Sequence, residues 1–230
     1  MMIPGIEELP LAPGQTALWF LGQAGFIIRC RDITLAIDPY LTDSAAATAP
    51  EFARLYPPPI RPEDLRVDLF LVTHDHLDHL DPETIRRYPH RDRTRFVAPR
   101  LAARKLADLG VPAERIQRLD SGERWTWRDL TVAGVFALPS GPDVIDTTGY
   151  LLEFAGGGSV YHASDTAFTP LLLEAAPKGI DVLLVPINGK WGNLGPEEAV
   201  ELTAAVHPRY VLPHHHDLMA LNAENPETFR

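Results

Sequence analysis

The 230-residue chain is 45% hydrophobic and 23% charged and carries one cysteine, Cys30, which excludes a predominantly disordered chain and a disulfide-stapled scaffold. Its longest apolar stretch, residues 17–28, is broken by Gly22, Gln23 and Gly25, so no segment is long enough to cross a bilayer. No basic region precedes an apolar one at the start, and a cytoplasmic protein is expected. The net charge of −10 divides into −3 over residues 1–60, +2 over 61–128 and −9 over 129–230, a balance that argues against general nucleic-acid binding.

Short apolar, β-branched runs between turn residues predict the strands. The first three lie at 17–21, 25–29 and 34–37. An irregular insertion rich in alanine and proline follows at 44–62, and a fourth strand at 68–73. The arginine-rich stretch 86–95 reads as a solvated surface loop, with an anion or RNA contact as the alternative. A strand at 95–98 precedes a helix at 101–109, which Gly110 and Pro112 stop. Strands follow at 131–137, 150–154 and 159–162, the last two joined by the turn Gly156-Gly157-Gly158. After a strand at 181–185 comes a helix at 196–206. It opens with Pro196, and Glu197 and Glu198 face the positive end of its dipole. The last strand is 210–212. Asn225-Pro226-Glu227 reads as a helix start cut short, so the natural chain is expected to continue or this end to pack irregularly.

A faint repeat crosses the chain. Val67-Asp68-Leu69-Phe70-Leu71-Val72 is matched by Ile180-Asp181-Val182-Leu183-Leu184-Val185 at an offset of 113 residues. Asp81-Pro82-Glu83 is matched by Gly195-Pro196-Glu197, and Arg95-Phe96-Val97-Ala98-Pro99 by Arg209-Tyr210-Val211-Leu212-Pro213, both at 114. Two related β/α halves, each covering one sheet face with helices, pack sheet to sheet. The predicted architecture is a single α/β domain over 1–230, a four-layer αββα sandwich.

The chemistry concentrates directly after the strand at 68–73, in His74-Asp75-His76-Leu77-Asp78-His79. Imidazole nitrogens and carboxylate oxygens are ligands for zinc, manganese or iron, and a loop at a strand end can turn them towards one point. A polar surface loop is the plain alternative, but clustered histidines leaving a buried apolar strand are costly unless satisfied together.

His74-x-His76-x-Asp78-His79 resembles the signature of the metallo-β-lactamase fold. Trp19-Phe20-Leu21-Gly22-Gln23-Ala24-Gly25 and Ala36-Ile37-Asp38-Pro39-Tyr40-Leu41 resemble its opening strands. Tyr161-His162-Ala163-Ser164-Asp165-Thr166 is similar to its strand-end aspartate motif, and Pro213-His214-His215-His216-Asp217 to the segment bearing its last histidine. Within that superfamily, the motif segments most resemble the L-ascorbate-6-phosphate lactonase group.

The resemblance implies that His74 and His76 ligate one divalent metal, that Asp78 and His79 ligate a second, that Asp165 bridges them and that His215 is the last ligand. One or two ions, zinc or manganese, are expected. Asp78 is also the candidate catalytic group, orienting a water or taking its proton. Asp38 is read as accepting a hydrogen bond from a ligand histidine or from a turn. His162 is read as a buried hydrogen-bonded histidine, with a ligand or substrate contact as the alternative. His216, Trp191 and Asn193 are candidate substrate contacts. Many members of the fold carry a further ligand histidine after the strand that here is 131–137. This chain reads Leu138-Pro139-Ser140-Gly141-Pro142-Asp143-Val144-Ile145-Asp146 instead, so Asp143 or Asp146 is expected to supplement a weaker first site.

The expected function is metal-dependent hydrolysis of a lactone or ester of a small, sugar-derived substrate, a lactonase-like enzyme. A phosphodiesterase or nuclease of the same fold and a non-catalytic metal-binding protein are the alternatives. The expected partner is a small molecule, with no nucleic acid and no membrane. A homo-oligomer is compatible with the sequence.

Overall fold

The computed structural model describes residue 6, residues 8–222 and residues 224–229. The described strands form two six-stranded sheets. The first comprises β1 (Thr16–Gly22), β2 (Gly25–Cys30), β3 (Ile33–Ile37), β4 (Leu69–Leu71), β5 (Arg95–Ala98) and β6 (Ile116–Arg118), in that spatial order. The second comprises β7 (Arg124–Trp127), β8 (Leu130–Phe136), β9 (Thr148–Phe154), β10 (Ser159–His162), β11 (Val182–Pro186) and β12 (Tyr210–His214), also in sequential order.

Period-two side-chain alternation builds the layers. Phe26, Ile28 and Cys30 of β2 point between the sheets, with Leu69 and Leu71 of β4, Tyr150, Leu152 and Phe154 of β9, and Leu184 of β11. Their sequence neighbours Ile27, Phe70 and Val72 instead face α1 (Pro82–Arg87) and α2 (Arg100–Asp108). Leu183 and Val185 face α3 (Pro170–Ala175) and α4 (Pro196–Val206). Strands buried on both faces read as unbroken apolar runs, and this sequence pattern requires helices outside both sheets. The chain is thus the four-layer αββα sandwich of the metallo-β-lactamase fold.

The strand pairing carries the repeat. β1 to β5 pair antiparallel, antiparallel, parallel and parallel. β8 to β12 repeat that order, and β6 and β7 each add one edge strand. α1 and α4 occupy equivalent places, each opened by proline. Asp81 caps α1, its carboxylate accepting the Glu83 amide at 3.0 Å. The Glu198 carboxylate accepts the Gly195 amide at the start of α4.

Four elements lie outside the strands and helices read from the sequence: β6, β7, α1 and α3. Each is six residues or shorter. The insertion at 44–62 is a series of single 3₁₀ turns, Ser44–Ala47, Pro50–Phe52 and Pro62–Asp64. Near the C-terminus, Pro226–Phe229 is one further 3₁₀ turn, and Phe229 packs on the apolar cluster beneath α4. Among the described residues no helix is long and apolar enough to cross a membrane.

Candidate metal centre

The site sits where parallel strands of both sheets end. β3 delivers Asp38, the loop after β4 delivers Thr73 to His79, the turn after β10 delivers Asp165, and the end of β12 delivers His215. Main-chain bonds fix these segments to one another. The Thr148 amide donates to the Thr73 carbonyl at 3.0 Å, and the His215 amide donates to the Gln23 carbonyl at 2.7 Å.

Five of the six residues expected as ligands come together, and His76 stands beside one of them, His74. His79 Nε2 lies 3.3 Å from His215 Nε2, 3.4 Å from Asp165 Oδ1 and 3.9 Å from Asp78 Oδ2. His215 Nε2 lies 3.1 Å from Asp165 Oδ1 and 3.7 Å from Asp78 Oδ2. His74 Nε2 is 3.0 Å from His76 Nδ1. Two sets, His74–His79–Asp165 and Asp78–His79–His215, each offer three donor atoms within 4.8 Å of one another. The buried Asp165 Oδ1 accepts no hydrogen bond despite the two imidazole nitrogens beside it. Lone pairs facing a common point rather than each other fit a divalent cation, and the N/O donor set suits zinc, manganese or iron.

Electrostatics match that reading. Burial alone would lower the His79 imidazole, but Asp165, Asp78 and Asp38 hold it well above its ordinary value. Burial alone would raise Asp165, yet His215 and His79 hold it well below the usual carboxylate range. His74, by contrast, is pushed well down by burial and by His79 beside it. Carboxylates that favour positive charge among them, beside an imidazole kept from protonation by burial, make a donor set suited to a cation.

The supporting contacts are specific. Asp38 accepts from His79 Nδ1 at 2.7 Å and from the Thr73 amide and hydroxyl at 2.8 and 2.5 Å. That carboxylate fixes which nitrogen of His79 faces the cluster. His162 stands off the cluster: its Nε2 donates to the Ala24 carbonyl at 2.9 Å and its Nδ1 accepts from the Ser164 amide at 3.0 Å. It stacks on His214, which is fully buried. Asn193 lines the cleft and also holds the cluster, donating Nδ2 to Asp165 Oδ2 at 2.8 Å.

The metal side opens into a cleft of about 430 Å³. Phe52, Leu77, Trp191 and Met219 give it apolar walls, and Ser140, Asp143 and Asn193 give it polar ones. Trp191 is 61% exposed and tilts towards Phe52, with ring centroids 6.1 Å apart.

His216, expected as a substrate contact, does not line this cleft. The left-handed backbone at His215 (φ 61°) turns the chain, so His216 stacks on Phe20 and bonds Asp217. Of the two candidate supplements, Asp143 Oδ1 lies 3.3 Å from His76 Nε2. Asp146 Oδ2 instead accepts the Leu101 amide in the first turn of α2, which takes it away from the cluster.

Sequence reasoning gave no role to Gln23. It is fully buried, donates to Asp78 Oδ2 at 2.7 Å and lies 3.1 Å from His215 Nδ1. A glutamine in the turn between two apolar strands was the available signal. Thr73 and Ser140, which supports Asn193 at 2.6 Å, carried none.

A sandwich of this kind with an N/O cluster at its strand ends defines a metallo-hydrolase scaffold. Residues 34–216 match the Beta-lactamase superfamily domain, and the chain belongs to that superfamily as one of its metal-dependent hydrolases. It is similar to a UPF0173 metal-dependent hydrolase of Thermococcus kodakarensis, 31% identical over an alignment of 223 residues that covers 92% of this chain and 89% of that one. Among solved structures, Igni18, a metallo hydrolase from Ignicoccus hospitalis, superposes with a TM-score of 0.72 at 24% identity, covering 94% of this chain and 89% of the other. An isothiocyanate hydrolase from Delia radicum gut bacteria gives 0.75 at 16% identity, covering 93% and 90%. Both share the fold.

Proposed function

We propose that this metal-dependent hydrolase opens an uncharged lactone or cleaves a carboxylic ester of a small, sugar-derived substrate. The observation that carries the reading is the composition of the cleft. Among the described residues that line it there is no lysine or arginine, while Asp78, Asp143 and Asp165 are there. Beyond a cation held by those carboxylates, the described lining offers no lysine or arginine to further phosphate oxygens, so a phosphodiester or phosphorylated sugar finds no side-chain cation there. An uncharged acyl compound meets apolar walls for its carbon skeleton and Ser140 and Asp143 as partners for its hydroxyls.

His74, His76, Asp78, His79, Asp165 and His215 are the residues that would hold one or two divalent cations. Bound there, the cation supplies Lewis acidity towards the acyl oxygen and an acidified water. Asp78 reaches the cleft, and the His79 and His215 imidazoles, against the opposing effect of burial, keep its carboxyl below the usual range. It is therefore an anion near neutral pH, able to orient a water or accept a proton, with Gln23 holding its Oδ2. Asn193 keeps Asp165 turned into the cluster. The Phe52–Trp191 pair supplies an apolar wall of the cleft.

Steady-state assays of zinc- and manganese-loaded protein on aldonolactones, aryl acetates and bis(p-nitrophenyl) phosphate test this. The expected result is a kcat/KM on a lactone or ester about a hundredfold or more above that on the phosphodiester, equivalent to a ΔΔG‡ of about 3 kcal/mol. Preference for the phosphodiester would assign the site to phosphoryl transfer. No turnover on either class would favour a metal-binding protein without catalysis.

A further inference from the structure

A second cavity, of about 470 Å³, lies at the other end of the first sheet. β3, β4, β5 and β6 run parallel, and the metal cluster follows their C-terminal ends on β3 and β4. The cavity is lined instead from their N-terminal ends, by Thr34, Asp68, Arg95 and Arg115, together with the β7–β8 turn. Arg66, Arg93, Arg95, Arg115 and Arg128 converge on it, and Asp68 is the one carboxylate lining it among the described residues.

The pairing of these arginines separates them from their neighbours. On residues that do not line the cavity, Arg61 pairs with Asp64, Arg86 with Glu83 and Arg87 with Glu63. Inside it, Arg128 lies 3.6 Å from Asp68 and over the Trp127 ring at 4.2 Å, and Arg93 lies 4.0 Å from Asp92. Arg66, Arg95 and Arg115 have no carboxylate within ion-pair distance among the described residues, and Arg115 donates to the Arg93 carbonyl at 3.4 Å. His90 lines the same cavity, and its Nε2 is buried without a hydrogen-bond partner. Burial, then the positive charge of Arg66 and Arg93, holds that imidazole below its ordinary value. In a chain of net charge −10, five guanidinium groups face one carboxylate here, a local positive field that an anion would offset, with Arg66 held by the Glu63 and Leu65 carbonyls and Arg95 over the Trp125 ring.

We propose that this cavity is a binding site for a small phosphate-bearing anion, separate from the hydrolytic centre. Guanidinium forks approaching from several strand ends suit a group with oxygens on several sides, which a phosphate offers. The negative charge of the rest of the molecule disfavours a nucleic-acid strand.

Calorimetric titration of the purified protein with inorganic pyrophosphate, and in parallel with ATP, tests the proposal. One equivalent is expected to bind, more weakly as salt rises. R93Q/R115Q is expected to weaken binding by about tenfold or more, and R95Q by about threefold or more, with thermal midpoints without ligand at or above that of the unaltered chain. H74A/H79A, which disables the metal cluster, is expected to bind within about twofold of the unaltered chain, because it leaves these contacts in place. Tighter binding of ATP than of pyrophosphate identifies a nucleotide, and equal binding identifies the phosphate group alone; both support the site. Undiminished binding in the arginine variants, or its loss in H74A/H79A, would overturn it. So would a single-stranded oligonucleotide that binds more tightly than pyrophosphate and gains affinity with length.

Discussion

At the residue scale, backbone strain and hydrogen bonding meet at the cluster. Gln23, Asp38, Ser164 and His215 all hold left-handed backbone (φ 56°, 44°, 65° and 61°), a conformation that costs side-chain-bearing residues on the order of 1 kcal/mol each. Their contacts over-determine it: Gln23 bonds Asp78, Asp38 bonds Thr73 and His79, and His215 is tied through its amide to Gln23. Asp38 is the most exposed to test, because it touches the cluster only through His79. D38N cannot accept as an anion at His79 Nδ1 and leaves the buried Thr73 contacts half satisfied. Metal affinity is expected to fall about 10- to 100-fold, with the far-UV circular dichroism of the folded chain retained. Unchanged affinity would mean that His79 needs no orienting partner.

At the element scale, the legibility of the sequence follows the range of each interaction. The strands around β2, β3 and β4 and the helix α4 could be read because their burial pattern lies in consecutive residues. β7 could not: Arg124-Trp125-Thr126-Trp127 is a short edge strand without a fully buried residue, so its apolar alternation has little length to show. The His74–His79 loop was legible for the same reason as β2, since its donors sit within six residues. Gln23 acts on His215, 192 residues away, and no local pattern announces that. His216 lies off the cleft because His215 holds left-handed backbone, a torsion that no local sequence pattern announces.

The cleft walls are also an element-scale feature, with the insertion supplying Phe52 and the loop after β11 supplying Trp191. On the proposed role of Trp191 as a substrate contact, W191A removes apolar contact that substrate and transition state share equally. KM is therefore expected to rise about fivefold or more with kcat within about twofold, measured on the best substrate of the panel. A fall in kcat at constant KM would place Trp191 in the chemical step instead.

At the scale of the whole molecule, the fold separates support from chemistry. Leu69, Leu71, Leu152 and Leu184 fill the space between the sheets, and no ligand candidate belongs to that cluster. Tyr150 crosses it, its hydroxyl donating to the Val72 carbonyl at 2.9 Å just before the metal loop. H76A should therefore leave a folded chain that has lost its more open metal position and its hydrolysis, checked by thermal unfolding beside metal content. Retention of full activity in H76A would remove His76 from the account.

The central claim is that the two sheets assemble an unequal pair of cation positions. We propose Asp78, His79, Asp165 and His215 as the enclosed one, and His74 and His76 as the more open one, with Asp165 also beside His74 and with Asp143 Oδ1 3.3 Å from His76 Nε2, where His76 is 28% exposed. Calorimetric titration of chelator-stripped protein with zinc and with manganese, in buffers of different ionisation enthalpy, reads this directly. Two unequal affinities are expected, with D143A weakening only the lesser. Because His79 holds its proton unusually tightly, binding should release a proton to the buffer, and the apparent affinity should rise with pH through the neutral range. Two equally tight ions unaffected by D143A, or an affinity that falls as pH rises, would contradict the account.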